Sequence, residues 1–141
     1  MDVIRTSRWC DPAQEDDGFR ALVTRYRPRG VSKAQETWDG WLPQLGPSKA
    51  LHAAVYGKAG EPISWEEYAA RYVREMQAQV FWIRGLAGHV AAGKTLTLLC
   101  SSACVDVDRC HRSLLRTLIE AEAAGPVMPS PSAPVVKRRN P

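Results

Sequence analysis

The sequence predicts a single α/β domain, and three observations favour this fold class. Segments rich in β-branched residues alternate with segments whose apolar residues recur at helical spacing. The chain has 141 residues, 45% of them hydrophobic, which suits one domain around one core. Half of the ten prolines fall after Gly125. We therefore expect the domain to span residues 1–124 and a flexible, basic, proline-rich tail to span residues 125–141.

Two short strands and an arginine-rich loop are predicted in the first part of the chain. Val3–Thr6 begins with β-branched residues and suits a first or edge strand. Asp16-Asp17-Gly18 is a turn signal, so Phe19–Thr24 should form a second strand. Pro28 and Gly30 then exclude regular structure. This loop carries three arginines: Arg25, Arg27 and Arg29.

A capping box predicts a helix directly after this loop. Ser32 is followed three residues later by Gln35, so a helix should begin at Lys33. Helical spacing would place Trp38 and Trp41 on one of its faces.

Two further caps predict a short helix and a long one. Ser48 should cap a short helix that Gly57 ends. Ser64 and Glu67 form another capping box, and an apolar stripe follows it without interruption. We therefore expect one long helix from Trp65 to about Leu86.

A buried strand and a final helix complete the predicted domain. Thr95–Cys100 is an apolar, β-rich run that suits a buried strand. The last helix should run from about Arg109 to Ala123, with Asp108 as its N-cap. This places Cys110-His111-Arg112 in its first turn.

The segment Gly88–Thr95 matches the phosphate-loop pattern G-x4-G-K-T, but its context contradicts that function. A phosphate loop needs a strand before the glycines and a helix after the Lys-Thr pair, because the first amides of that helix hold the phosphates. Here a predicted helix precedes the motif and a strand follows it. We interpret Gly88–Thr95 as a loop that ends a helix.

Charge and hydropathy exclude several classes of protein. The chain has 19 Lys and Arg against 15 Asp and Glu, and three of the basic residues lie in the tail. The domain is therefore nearly neutral, which disfavours a global nucleic-acid or membrane-binding field. No apolar run is long enough to span a membrane, and the first residues do not resemble a signal peptide. We expect a cytoplasmic protein whose four cysteines are reduced.

The most reactive side chains should meet at the carboxyl edge of the sheet. A strand that ends in Cys100 and a helix that starts with Cys110-His111-Arg112 both reach that edge, where open α/β sheets bind ligands. Free amides at the helix start favour a thiolate and an anion. Cys110 is the predicted nucleophile, with His111 as its base or as the charge that lowers the thiol pKa. Arg112, together with Arg25 or Arg29, could bind phosphate or carboxylate.

Three other interpretations of the same residues stay open. The cysteines could simply pack, because cysteine is often buried as a small hydrophobic residue. Four of these residues could instead form a redox or zinc site, although their spacing is not that of a structural zinc site. The basic residues could also serve a non-catalytic module that binds phosphate or nucleic acid. The zinc set is Cys100, Cys104, Cys110 and His111, and the basic set is Arg25, Arg27, Arg29, Lys33 and Arg112. We predict no cofactor.

The run from Asp16 to Lys33, DDGFRALVTRYRPRGVSK, resembles the signature of the family named domain of unknown function 488. Further matches extend the resemblance over most of residues 2–123. It implies a three-layer α/β sandwich, with a small, mostly parallel sheet and flanking helices, and an enzymatic site without an assigned substrate. Longer members carry a strand-ending cysteine and a later Cys-His-Arg, which match Cys100 and Cys110-His111-Arg112. They also carry an aspartate where this chain has Thr24, which argues against a general base in the arginine loop.

Overall fold

Four parallel strands form one sheet in the computed structural model of the chain, which describes residues 4–58, 60–102, 104 and 106–125. Most of the predicted tail, and Val3 of the first predicted strand, lie outside the described residues. The strands are β1 (Ile4–Arg8), β2 (Phe19–Leu22), β3 (Gly40–Trp41) and β4 (Leu96–Cys100), in the spatial order β1-β4-β2-β3. Helices flank this sheet, so the predicted α/β class is confirmed.

Strand β4 lies inside the sheet and positions the carboxyl edge. It pairs with β1 from Ile4↔Leu96 to Arg8↔Cys100, and with β2 on its other side. All five of its residues are buried, as expected for the central strand of a parallel sheet. Because the strands are parallel, Arg8, Val23 and Cys100 emerge at the same edge.

Four helices cover the sheet: α1 (Lys49–Val55), α2 (Trp65–Met76), α3 (Val80–Ala91) and α4 (His111–Ala123). All four contribute side chains to the main hydrophobic core. Adjacent residues of a strand face opposite sides of the sheet, and Leu99 accordingly joins a smaller cluster with Leu22 and Trp38. Within the described part of the chain, no helix has the length and apolarity needed to cross a bilayer.

The predicted caps of α1 and α2 are confirmed, but the single long helix is wrong. The hydroxyl of Ser48 accepts a hydrogen bond from the Leu51 amide, and that of Ser64 accepts one from the Glu67 amide, both at 3.1 Å. A 3₁₀ turn at Gln77–Gln79 then separates α2 from α3. The redirected α3 packs along α4. Helical spacing alone carries no sign of this turn, because the apolar stripe continues through it.

The helix predicted from Lys33 is also wrong. The capping box does form, and the Ser32 amide donates to Gln35 Oε1 at 2.9 Å, but only one 3₁₀ turn follows (Lys33–Gln35). The Asp39 carboxylate then accepts from the Arg20 amide at 2.9 Å, which draws the segment to the sheet edge. Trp41 therefore lies on strand β3 and is 37% exposed, instead of sharing a helix face with Trp38.

The phosphate-loop pattern has the context predicted for it. Helix α3 runs through Gly88 to Ala91, and Gly93 adopts a positive φ of 85° in the turn that follows. Strand β4 comes next instead of a helix. The interpretation of this segment as a loop that ends a helix is confirmed.

Candidate functional site

Cys110 lies at the beginning of α4 and faces the end of β4. It occupies the N-cap position, and its Sγ accepts from the Arg112 amide at 3.5 Å. The predicted N-cap, Asp108, is wrong, because it belongs to a preceding 3₁₀ turn (Val107–Arg109) that Asp106 caps through the Asp108 amide. The nucleophile candidate therefore lies directly at the positive end of the helix dipole.

Three sulfur atoms meet at this point. Cys100 Sγ lies 3.5 Å from Cys110 Sγ, and the sulfurs of Cys100, Cys104 and Cys110 all lie within 4.8 Å of one another. Cys110 is only 3% exposed and Cys100 is also buried, whereas Cys104 is half-buried. We call these three residues the thiol cluster. From the sequence, Cys104 is a candidate only for the zinc site, because it lies between the other two cysteines.

Arg112 is buried against the thiol cluster. Its Nε donates to Cys110 Sγ at 3.2 Å, and its terminal nitrogens donate to the carbonyl oxygens of Ser7 (2.6 Å) and Cys104 (3.1 Å). The side chain is 3% exposed. Arg112 thus places a positive charge beside the Cys110 sulfur. Its hydrogen bonds also connect the start of α4 and the loop before it to the end of β1. The sequence predicts Arg112 as an anion-binding residue, but Arg112 does not line the cavity of about 450 Å³ that opens beside these sulfurs.

His111 is fixed in one orientation by its two ring nitrogens. Its Nε2 lies 2.6 Å from the Val23 carbonyl oxygen, which can only accept, so Nε2 carries a proton. Its Nδ1 lies 3.9 Å from Cys110 Sγ. The ring of Tyr72 packs against it at 5.5 Å. This orientation leaves Nδ1 ready to exchange a proton with the Cys110 thiol.

The environment gives the three thiols opposite acidities. Hydrogen bonds from Cys100 and Cys104, together with His111, hold the pKa of the Cys110 thiol far below its usual range despite burial. The pKa of Cys100 is raised by its hydrogen bonds to the other two sulfurs and by burial. Hydrogen bonding to Cys110 and burial also raise the pKa of Cys104. The cluster therefore favours a thiolate on Cys110 over one on Cys100 or Cys104.

A cavity of about 450 Å³ opens beside the thiol cluster. Its wall carries the sulfurs of Cys100, Cys104 and Cys110 and the ring of His111. The described lining contains no Asp or Glu. Its basic and aromatic members are Arg25, Arg29, Arg109, His52, Trp9, Tyr26, Tyr56, Trp65 and Tyr68. This combination suits a ligand that has both a flat apolar part and a negative charge.

The arginines of the cavity wall have no carboxylate partner among the described residues. Arg25 donates through Nε to the Pro47 carbonyl at 2.8 Å, which leaves its two terminal nitrogens for a ligand. Arg29 and Arg109 are exposed at the cavity mouth. The structure thus places Arg25 and Arg29 in the lining of the same cavity as Cys110, as predicted, and adds Arg109, which the sequence predicts only as the start of the last helix.

Two of the predicted ligand-binding residues lie elsewhere. Arg27 pairs with Glu36 at 2.7 Å and donates to the Val31 carbonyl, and its guanidinium lies over the Trp38 ring. It therefore holds the loop together. Lys33 is exposed on the 3₁₀ turn and does not line the cavity.

His52 belongs to the cavity wall, although sequence reasoning did not single it out. Its ring lies between those of Tyr26 (5.1 Å) and Tyr56 (4.6 Å). Burial, with smaller contributions from Lys58 and His111, lowers the pKa of His52. His52 is identified as a cavity residue by its position on the face of α1 that meets the arginine loop. That contact exists only in the folded chain, so the sequence carries no signal for it.

The thiol cluster also has the composition of a soft-metal site. Three sulfurs within 4.8 Å of one another could hold one ion through thiolate ligands. Within the residues that the structure describes, no fourth His, Cys, Asp or Glu joins this group. The Arg112 guanidinium contacts two of the three sulfurs, at 3.2 Å on Cys110 and 3.8 Å on Cys104, and its charge opposes that of a cation. The surroundings therefore suit a thiolate better than a metal.

Gly46 allows the arginine loop to approach the core, and its replacement should disturb this packing. A Cβ at Gly46 would lie 2.4 Å from the Arg25 amide nitrogen and 2.8 Å from the Thr24 carbonyl carbon. Gly46→Ala is therefore expected to lower the free energy of unfolding by about 2 kcal/mol, measured by urea denaturation. Gly85→Ala is the matched control, because no atom lies within 4 Å of its Cβ in α3. It should stabilise the protein by up to about 1 kcal/mol. Equal effects of the two changes would contradict the argument.

One family model and several uncharacterized bacterial proteins match this chain. Residues 4–123 match the family model DUF488-N3a, described as the active DUF488-N3 subclade. The uncharacterized protein YeaO of Escherichia coli (strain K12) is 33% identical over 99 residues, which are 70% of this chain and 83% of YeaO. The uncharacterized protein Rv3073c of Mycobacterium tuberculosis is 31% identical over 87 residues, 60% of this chain and 71% of that protein. No solved structure matches significantly.

Proposed function

This chain belongs to the DUF488-N3a family, the active DUF488-N3 subclade, and from that premise we propose that it is an enzyme that binds an anionic ligand and attacks it through Cys110. One observation carries the proposal: Cys110 Sγ lies 3.2 Å from Arg112 Nε and 3.9 Å from His111 Nδ1, in the wall of a cavity whose arginines have no carboxylate partner among the described residues. A thiolate and an unpaired basic wall in one cavity are typical of a nucleophilic site for an anion.

Each group has a defined part in the proposed reaction. Arg25 and Arg29 bind the phosphate or carboxylate of the ligand, and the aromatic side chains contact its apolar part. The Cys110 sulfur then forms a bond to the electrophilic atom of the ligand, while the bond to the leaving group breaks. The proton that Cys110 lost to His111 Nδ1 passes to that leaving group. Arg112 stabilises the thiolate and is a positioning residue.

A pair of alkylating reagents tests the anion preference of the site. Iodoacetate and iodoacetamide react with a thiolate in the same way, but only iodoacetate carries a negative charge. Their rate ratio at Cys110, divided by the ratio for glutathione, therefore reports the local charge and is independent of the thiolate fraction. We expect this normalised ratio to exceed one in the wild-type protein and to fall about fivefold in the double variant Arg25→Gln, Arg29→Gln, measured by peptide mass spectrometry.

Lys33→Gln provides the matched control, since it removes one exposed positive charge outside the cavity. It should leave the ratio within about twofold of wild type, because salt screens distant surface charges. If the wild-type ratio is at or below that of glutathione, or if Lys33→Gln lowers it as much as the double variant does, the proposed anion site is wrong. If Cys110 reacts no faster than free glutathione with iodoacetamide at neutral pH, the proposed nucleophile is wrong.

A second candidate function is binding of phosphate or nucleic acid without chemistry. It is favoured by Arg29 and Arg109, which are exposed and have no carboxylate partner in the part of the chain that the structure describes. Such binding would weaken with salt and would survive in Cys110→Ser. Titration of an oligonucleotide into wild-type and Cys110→Ser protein at two salt concentrations separates the two functions.

Because the thiol cluster works only in its reduced form, we also place the protein in a reducing compartment such as the cytoplasm.

A further inference from the structure

The proposed nucleophile uses only one of the three clustered thiols. Cys100 and Cys104 share hydrogen bonds with Cys110 and have no part in the attack itself. A hydroxyl or an amide could donate such bonds equally well. A further thiol in contact with a thiolate is instead what a reaction needs when it ends in a disulfide within the protein.

We propose that the thiol cluster is a thiol–disulfide oxidoreductase centre for small anionic disulfides, in which Cys110 attacks the substrate and Cys100 resolves the mixed disulfide. This inference rests on the proposed function, because it requires both the Cys110 thiolate and the basic cavity. It adds the class of the electrophile, which is a sulfur atom, and it assigns a role to the buried thiol of Cys100.

The reaction balances in two steps. In the first, the Cys110 thiolate bonds to one sulfur of R–S–S–R, the S–S bond of the substrate breaks, and the departing thiolate takes a proton from His111 and leaves as RSH. In the second, Cys100 Sγ bonds to Cys110 Sγ, the mixed disulfide breaks, and the second RS⁻ leaves with the Cys100 proton. Two electrons pass from the two protein thiols to the substrate, so that one disulfide and two protein thiols become one protein disulfide and two molecules of RSH.

The geometry favours Cys100 as the resolving thiol. Its sulfur is already 3.5 Å from Cys110 Sγ, whereas a disulfide requires about 2.05 Å, so side-chain rotation has to close only about 1.5 Å. Cys100 ends the buried strand β4, and Cys110 is the N-cap of α4, so both backbones are anchored at the ends of regular elements. Cys104 lies in the loop between them and bonds to Arg112 through its carbonyl oxygen.

The cavity explains why the substrate should be anionic. Arg25, Arg29 and Arg109 lie on the wall that a disulfide would pass to reach Cys110, and the described lining offers no carboxylate to repel its charge. Carboxylate-bearing disulfides of the size of oxidised glutathione should therefore be favoured over cationic ones.

The experiment mixes reduced protein, carrying Cys10→Ser to remove the exposed fourth cysteine, with oxidised glutathione or with cationic cystamine. We expect release of two thiols per chain and a Cys100–Cys110 disulfide by peptide mapping. The ratio of the reaction rate with oxidised glutathione to that with cystamine should be about tenfold higher for the protein than for a small free thiol.

Two serine variants identify the resolving residue. In Cys100→Ser, release should stop at one thiol per chain and Cys110 should retain glutathione, whereas Cys104→Ser should behave like the parent protein. Persistence of the mixed disulfide in the parent, or resolution that depends on Cys104, would overturn the inference. If Cys110 is rapidly and anion-selectively alkylated but never forms the internal disulfide, the inference fails while the proposed nucleophilic anion site stands.

Discussion

Replacement of Arg112 by glutamine is expected to lower the free energy of unfolding by about 3 kcal/mol and to slow alkylation of Cys110 at neutral pH by about tenfold. The stability loss follows from burial, because the carbonyl oxygens of Ser7 and Cys104 and the sulfur of Cys110 would lose their donors in a water-poor site. The rate loss follows from charge, since the guanidinium beside Cys110 Sγ favours the thiolate, which is the reactive form. Urea denaturation and the pH profile of iodoacetamide labelling measure the two effects.

Two other variants separate charge from hydrogen bonding. Arg112→Lys keeps the positive charge but cannot reach three acceptors with a planar group, so it should lose stability and keep labelling within about threefold of wild type. Arg84→Gln alters an exposed arginine of α3 that pairs with Glu122 at 3.4 Å, and it should change stability by less than about 0.5 kcal/mol. Equal labelling rates for Arg112→Gln and wild type would show that Arg112 does not support the thiolate.

The reduced protein is expected to lose about 6 kcal/mol of stability between about pH 8.5 and pH 11. Burial, and hydrogen bonding at the cysteine, raise the pKa of Cys100, Tyr68 and Tyr72 in the folded protein. For an acid of raised pKa, the stabilisation is complete below the unfolded pKa, about 8.5 for cysteine and about 10 for tyrosine, and is lost as the pH rises above it. Each such group contributes a loss of about 1.4 kcal/mol per pH unit.

Urea denaturation at several pH values, in the presence of a phosphine reductant, measures the slope of the free energy of unfolding against pH. Tyr72→Phe removes one of the three groups, so the slope above about pH 10 should become smaller by about 1.4 kcal/mol per pH unit. Its stability at neutral pH should also fall by about 1 kcal/mol, because the Tyr72 hydroxyl donates to the Leu45 carbonyl at 2.7 Å. A Tyr72→Phe slope identical to that of wild type would contradict the assignment.

The parts of the fold that local signals determine were predictable from the sequence. Ser48 and Ser64 cap helices because their hydroxyls bond to amides three residues on, within the same turn. The apolar run before Cys100 forms the central strand, because only burial on both faces suits five such residues. The extended course of residues 36–41 was not predictable, since it depends on the contact between Asp39 and Arg20, nineteen residues earlier.

The candidate site was predictable in its location but not in the orientation of its arginines. The adjacency of Cys100 and Cys110 follows from the rule that strand ends and helix starts share one edge of a parallel sheet. Sequence cannot tell an arginine that faces a ligand from one that satisfies carbonyl oxygens inside the protein. Arg112 and Arg27 are of the second kind, because each finds backbone acceptors in its own neighbourhood. Arg25 and Arg109 line the cavity instead.

The position of β4 between β1 and β2 has a consequence for co-translational folding. The chain emerges from its N-terminus, yet β1 and β2 have no direct pairing with each other and must wait for a strand that ends at Cys100. Until then, both nascent segments expose backbone groups that can pair with other chains. A ribosome stalled before Leu96 should therefore hold a protease-sensitive chain, whereas one stalled after α4 has emerged should hold a protected domain.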